Sequence, residues 1–167
     1  MKSLLIATLV LLSACSGMTP ESARKELGRM NIQYNPSAFI DAATNDDAVA
    51  VELFLKAGMD VNARDPAGRL AYMFTSKPLS AGLELKEAVA HYMNDECKAN
   101  GTTALMGAAA TGRTQIVKLL LDQKADPNIQ DCIDMNALSY ATRAEQAIIA
   151  DILIKAGATE PKEQKAK

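Results

Sequence analysis

The sequence repeats itself with a period of about 33 residues, and this period constrains the fold more than any other feature. Alanine recurs at four positions, each one period after the last, and a large apolar residue follows each alanine: Ala38-Phe39, Ala71-Tyr72, Ala104-Leu105 and Ala137-Leu138. Farther along the unit, other apolar residues keep the same phase: Leu53, Leu119 and Ile152. A unit this short cannot bury its apolar face alone, so the period predicts a stack of small repeats that cover one another.

Within a unit, the apolar residues follow helical spacing. In the third unit, Ile116, Leu119 and Leu120 fall on one side of a helix. We therefore expect two short helices per unit, near 104–111 and 114–123 in the third unit. The core must be built from Ala, Leu, Ile and Val, because only 4% of the residues are aromatic and none is Trp.

The third unit also carries a known residue pattern: Gly101-Thr102-Thr103-Ala104-Leu105, then Ile116-Val117-Lys118-Leu119-Leu120-Leu121, then Ala125-Asp126-Pro127-Asn128. This order resembles an ankyrin repeat. The resemblance implies an all-α solenoid of about four helix-turn-helix units joined by extended hairpin-like loops. The units span 35–67, 68–100, 101–133 and 134–160. The second unit is irregular at Lys77-Pro78, where helix residues are expected, and its irregularity is explained equally by a specialised surface or by sequence drift.

One position tests the register of this alignment. The family usually has glycine after the second helix, where the chain turns with positive φ. Gly58 and Gly157 occupy that position in the first and last units, whereas the third unit has Lys124. We therefore expect Lys124 to have a positive φ.

Residues 1–14 have the features of an export signal, with Lys2 at the start and an apolar run over 4–12. The following Leu12-Ser13-Ala14-Cys15 resembles the lipobox of bacterial lipoproteins. The resemblance implies cleavage before Cys15 and a lipid on its thiol, and Ser16 implies sorting to the outer membrane, facing the periplasm of the cell envelope. The alternative is an ordinary cleavable signal with a chance cysteine.

The two ends of the mature chain are expected to flank the repeats. Residues 15–34 comprise the lipidated cysteine, a tether and a capping helix near Glu21 to Met30, with Thr19 as its N-cap. Residues 161–167 are rich in charge and are expected to form a disordered tail.

Two further cysteines, Cys97 and Cys132, form an even pair in a compartment that should be oxidising. Both fall in connecting segments of neighbouring units. Their spacing allows a disulfide, but it equally allows two free thiols.

The composition argues against two classes of function. The net charge is −2, and lysine and arginine form no cluster before the tail, so we expect no nucleic-acid partner. His91 is the single histidine, which leaves poor material for a metal site or for activating a nucleophile such as Cys97. We therefore expect no catalysis, no cofactor and no bound metal.

The resemblance instead implies binding of a protein partner through the concave face of the array. Placing the sequence on the family pattern assigns these candidates to loop tips and exposed helix positions: Arg69, Met73, Phe74, Thr102, Met106, Ile133, Met135, Tyr140 and Arg143. The alternative for Met73 and Phe74 is packing beneath the irregular second unit. We predict a membrane-tethered, exported interaction module; the alternatives are an antidote (immunity) lipoprotein that inhibits a toxic secreted enzyme, or a thiol-active or ligand-binding envelope lipoprotein.

Overall fold

The computed structural model describes residues 17–65 and 100–161. In this part of the chain, seven helices and one pair of very short strands follow in this order: α1 Pro20–Arg29, α2 Pro36–Thr44, α3 Ala48–Lys56, β1 Arg64–Asp65, β2 Thr102–Thr103, α4 Ala104–Ala110, α5 Thr114–Asp122, α6 Ala137–Arg143 and α7 Ala147–Lys155. The mostly helical repeat solenoid expected from the sequence is confirmed. The two helices of the third unit lie close to their expected bounds.

Short polar side chains define where the helices begin. The Thr103 hydroxyl accepts a hydrogen bond from the backbone N–H of Met106 at 3.3 Å, which starts α4. Asn136 caps α6 in the same way. Thr19 caps α1, and Pro20 occupies the first turn, where its missing N–H costs nothing.

In the first, third and fourth units, the second helix is followed by a left-handed residue. φ is +87° at Gly58, +66° at Lys124 and +92° at Gly157. The next residue donates its N–H back into the helix, as Ala125 does to the carbonyl of Leu120 at 3.0 Å. The expected positive φ at Lys124 is confirmed, and Lys124 shares this backbone conformation with Gly58 and Gly157.

The helices form two layers. The first helices of the units, α2, α4 and α6, pack side by side, and α1, α3, α5 and α7 form the second layer behind them. Apolar side chains fill the space between the layers, including Phe39, Phe54, Leu105 and Ile116, and each buries enough surface to contribute about 1.5–3 kcal/mol. The rings of Phe39 and Phe54 lie 5.4 Å apart at their centroids. The array therefore has one continuous core.

The first and third units are direct neighbours in the stack. Helix α2 packs on α4, and the Arg113 side chain donates to the Thr44 carbonyl at 2.9 Å. The side-chain oxygen of Asn62 accepts the N–H of Asp126 at 2.9 Å. Units three and four make the equivalent contact, because Asn128 accepts the N–H of Thr159 at 2.9 Å.

This order differs from the one expected from the sequence, in which unit 68–100 separates the first unit from the third. All of that unit except residue 100 lies outside the described residues. The neighbouring strands explain how the two units meet, since Asp65 pairs with Thr102 and Arg64 with Thr103 in antiparallel fashion. Gly101 permits this approach, because a Cβ there would lie 1.8 Å from the Asp65 carbonyl oxygen.

Candidate protein-binding surface

One edge of the array carries the loops between units and the C-terminal residue of α6. Several residues on this edge are exposed or half-buried, and we call them the hairpin edge: Arg64, Asn100, Gln130, Ile133, Asp134 and Arg143. Loops of this kind, held by a rigid scaffold, are where binding residues concentrate.

Arg64 links the loops of successive units along this edge. Its guanidinium donates to the carbonyl oxygen of Gln130 at 3.1 Å and to the side-chain oxygen of Asn100 at 3.4 Å. Arg64 therefore joins the loops of the first and third units along the hairpin edge.

The 131–135 loop is closed by a single buried aspartate. The Asp131 carboxylate accepts the N–H groups of Ile133 and Met135, each at 3.0 Å. The backbone N–H of Asp131 donates to the Met135 carbonyl at 2.9 Å, and that of Asp134 donates to the Asp131 carbonyl at 3.1 Å. These bonds leave the loop little conformational freedom.

Tyr140 holds the same carboxylate from beneath. Its hydroxyl donates to the second carboxylate oxygen of Asp131, and the tyrosine is fully buried. Burial raises the pKa of the Asp131 carboxyl above its ordinary value; the hydrogen bonds from Tyr140, Met135 and Ile133 oppose this shift, and the charge of Asp134 adds to it. A buried carboxylate is costly unless it is hydrogen-bonded, so the whole loop depends on this network.

The structure corrects the expected exposure of four candidates: Thr102, Met106, Met135 and Tyr140 are all buried. Thr102 lies in the β1–β2 pair. The Met106 side chain turns inward, and its sulfur accepts the N–H of Thr103 at 3.4 Å. Met135 and Tyr140 belong to the network around Asp131, so all four have structural roles.

The remaining candidates divide into two groups. Arg143 is exposed, and its guanidinium contacts the sulfur of Met135 at 3.6 Å; Ile133 is half-buried at the tip of the 131–135 loop. Three candidates lie outside the described residues, and their role in binding stays a prediction: Arg69, Met73 and Phe74.

Cys132 stands in the same loop and is disulfide-bonded. Its expected partner Cys97 lies outside the described residues, as does the expected lipid site Cys15. The pairing of Cys132 with Cys97 therefore stays a prediction.

Asp134 and the structural role of Asp131 were not predicted from the sequence. The period contains a signal for both, because Asp131 stands two periods after Asp65 and Asp134 stands one period after Gly101. A carboxylate repeated at one loop position indicates a structural role, and a carboxylate in place of glycine indicates a local change of function or of backbone.

Within residues 17–65 and 100–161, no three or more His, Cys, Asp or Glu side chains come together in a way that could hold a metal ion. None of the helices in these two ranges is both long enough and apolar enough to span a bilayer.

Comparison with known proteins identifies the repeats. The family model of ankyrin repeats (3 copies) matches residues 79–164. The chain belongs to the ankyrin-repeat family. No curated protein matches it.

Among solved structures, the ankyrin array is similar to a chain in the complex of Bd0816, a predatory endopeptidase from Bdellovibrio bacteriovorus, with the immunity protein Bd3460. The two chains are 27% identical with a TM-score of 0.50. The similarity covers 72% of this chain and 46% of the other, so this chain spans less than half the length of its structural relative.

Proposed function

We propose that this protein binds an enzyme of the bacterial cell envelope that hydrolyses peptide bonds, and holds that enzyme inactive. The observation that carries the proposal is the similarity to a chain in a complex between an endopeptidase and an immunity protein. Ankyrin repeats bind partners by presenting an extended surface, and they need no catalytic residues to do so.

The hairpin edge supports this role through its rigidity. A binding loop that is already ordered loses less conformational entropy when it meets its partner, and this raises affinity. The 131–135 loop is fixed by Asp131, Tyr140 and the disulfide at Cys132. Arg143 stands exposed beside it, and arginine is among the residue types that contribute most to protein interfaces.

We further propose that a lipid on Cys15 holds the array at the outer membrane, on the periplasmic side. One acyl chain binds a bilayer only marginally, whereas two or more give stable anchoring. An anchored inhibitor would be concentrated in the compartment in which the enzyme could damage the cell.

The test begins with the full-length chain, tagged at its C-terminus and produced in its own bacterium. Envelopes are solubilised in mild detergent, the chain is captured, and any protein recovered at a 1:1 ratio is purified. The hydrolysis of peptide bonds by that protein is then measured on isolated cell walls and on a denatured protein, with rising amounts of the ankyrin array. We expect activity to end at equimolar inhibitor; full activity in the complex, or a partner without such activity, would reject the proposal.

A matched pair of charge reversals tests the surface. Arg143→Glu lies on the hairpin edge, whereas Lys118→Glu lies on the exposed side of α5 in the other layer. We expect the first to weaken inhibition and the second to leave it unchanged. Equal effects would show that binding depends on overall charge and not on this edge.

A further inference from the structure

The 131–135 loop carries a charged residue at a backbone position that favours glycine. Asp134 has a φ of +58°, a left-handed conformation that glycine adopts without strain. Among the described residues, the other non-glycine residues with positive φ all lie in turns that follow helices: Asn31, Asp46, Lys124 and Glu145. Asp134 is therefore the exception that lies in a loop between units.

Asp134 costs the fold stability in two ways. A side chain at positive φ meets steric strain that glycine avoids, although aspartate tolerates it better than most residues. Its negative charge also lies close enough to the buried Asp131 carboxylate to raise the pKa of that group. Glycine would remove both costs, so packing and stability do not account for aspartate at this position.

The surroundings of Asp134 indicate the charge of what it meets. Its side chain is exposed, and no hydrogen bond or ion pair engages its carboxylate among the described residues. A cleft of about 510 Å³ opens beside the loop, and its charged lining residues are Asp134 and Glu160, both acidic. A cationic group entering there would gain from both, whereas an anionic group would be repelled.

We infer that Asp134 determines which partner the protein binds, by accepting hydrogen bonds from an arginine or lysine side chain of the partner protein. The inference rests on the proposed function, because the partner is the envelope enzyme that the array inhibits. The fixed loop holds the backbone of Asp134 in one position, so a partner protein without a cation at this place leaves the Asp134 charge unpaired in the interface.

The test compares two acidic residues that share backbone conformation and exposure. Asp134 and Glu145 both have a φ of +58° and are both exposed, but Glu145 lies in the turn after α6 and not in the loop. The variants are Asp134→Asn, Asp134→Gly, Glu145→Asn and Glu145→Gly. Calorimetry measures the affinity of each for the purified enzyme recovered from the envelope, and urea denaturation measures stability.

We expect Asp134→Asn and Asp134→Gly to weaken binding by about tenfold or more, while Asp134→Gly becomes more stable toward urea. The two Glu145 variants should bind within about twofold of the wild type. Wild-type affinity in Asp134→Asn, or an equal loss in Glu145→Asn, would overturn the inference while leaving the proposed function intact. Failure to recover any inhibited enzyme would instead reject the proposed function.

Discussion

Replacing Tyr140 with phenylalanine removes one hydroxyl group and should destabilise the whole 131–135 loop. Tyr140 is fully buried and Asp131 is only 4% exposed, so water cannot replace the missing donor. A buried acceptor left without its partner costs about 1–3 kcal/mol, and a charged acceptor lies toward the upper end of that range. We expect Tyr140→Phe to lower the free energy of unfolding by about 2–3 kcal/mol near neutral pH.

The loss should depend on pH, and its direction follows from the pKa of Asp131. Burial already raises this pKa in the folded protein, and the hydrogen bond from Tyr140 lowers it. Removing the hydroxyl therefore raises the folded-state pKa further. A carboxyl whose pKa is raised by folding binds its proton more tightly in the folded state, so stability increases as the pH falls through the folded-state pKa. The cost of Tyr140→Phe should therefore be greatest at neutral pH and shrink in acid.

Tyr34→Phe provides the matched control. The Tyr34 hydroxyl donates to the carbonyl oxygen of Ala57 at 3.1 Å, and a carbonyl does not titrate. This loss should be about 0.5–1.5 kcal/mol and independent of pH. Both variants are compared by urea denaturation of the soluble form beginning at Ser16, followed by circular dichroism at about pH 7 and about pH 4.5, without reductant. Equal losses for Tyr140→Phe at the two pH values would refute the argument.

Three further changes test the register, the contact between units and the anchor. Because Lys124 and Gly58 both have positive φ, Lys124→Gly should raise the free energy of unfolding by up to about 1 kcal/mol, and Gly58→Ala should lower it by a similar amount. Opposite signs in urea denaturation would contradict the alignment of Lys124 with Gly58. Gly101→Ala places a methyl group 1.8 Å from the Asp65 carbonyl oxygen and should lower the free energy of unfolding by about 2–4 kcal/mol. Amide hydrogen exchange in β1 and β2 should become faster, and unchanged exchange would argue against the direct contact of the first and third units. Cys15→Ser should leave the chain uncleaved or release it from membranes, and unchanged mass and fractionation would exclude the lipid.

The local parts of the fold could be predicted because their causes are local. Apolar spacing and capping residues such as Thr103 determine where a helix begins, and they lie close to one another in the sequence. The positive φ at Lys124 followed from aligning it with Gly58 and Gly157, because all three residues occupy the turn after a second helix and share its backbone conformation. Neither inference needed knowledge of what lies across the molecule.

The order of contacts in the stack could not be predicted from the period. The period shows which residues are equivalent, but it does not show which units touch. The length of unit 68–100, one full period, favoured a repeat stacked between the first and third units. The first and third units nevertheless contact each other directly: Asn62 accepts the N–H of Asp126, and this bond is equivalent to the one from Thr159 to Asn128 between the third and fourth units. Contacts between residues far apart in sequence depend on the packing of whole helices, and a single sequence does not reveal that packing.

The same limit explains which binding candidates were misplaced, and it indicates where recognition occurs. The family pattern gives the backbone position of Met106 but not what covers its side chain. Every residue of α4 is buried, most of them are Ala or Gly, and α4 packs against α2, α5 and α6. Small residues allow helices to approach closely, so α4 serves the packing of the stack and presents no side chain to a partner. In the layer formed by α4 and α6, the exposed side chains therefore lie in the loops and at the end of α6, where Ile133, Asp134 and Arg143 stand on or beside a loop fixed by Asp131.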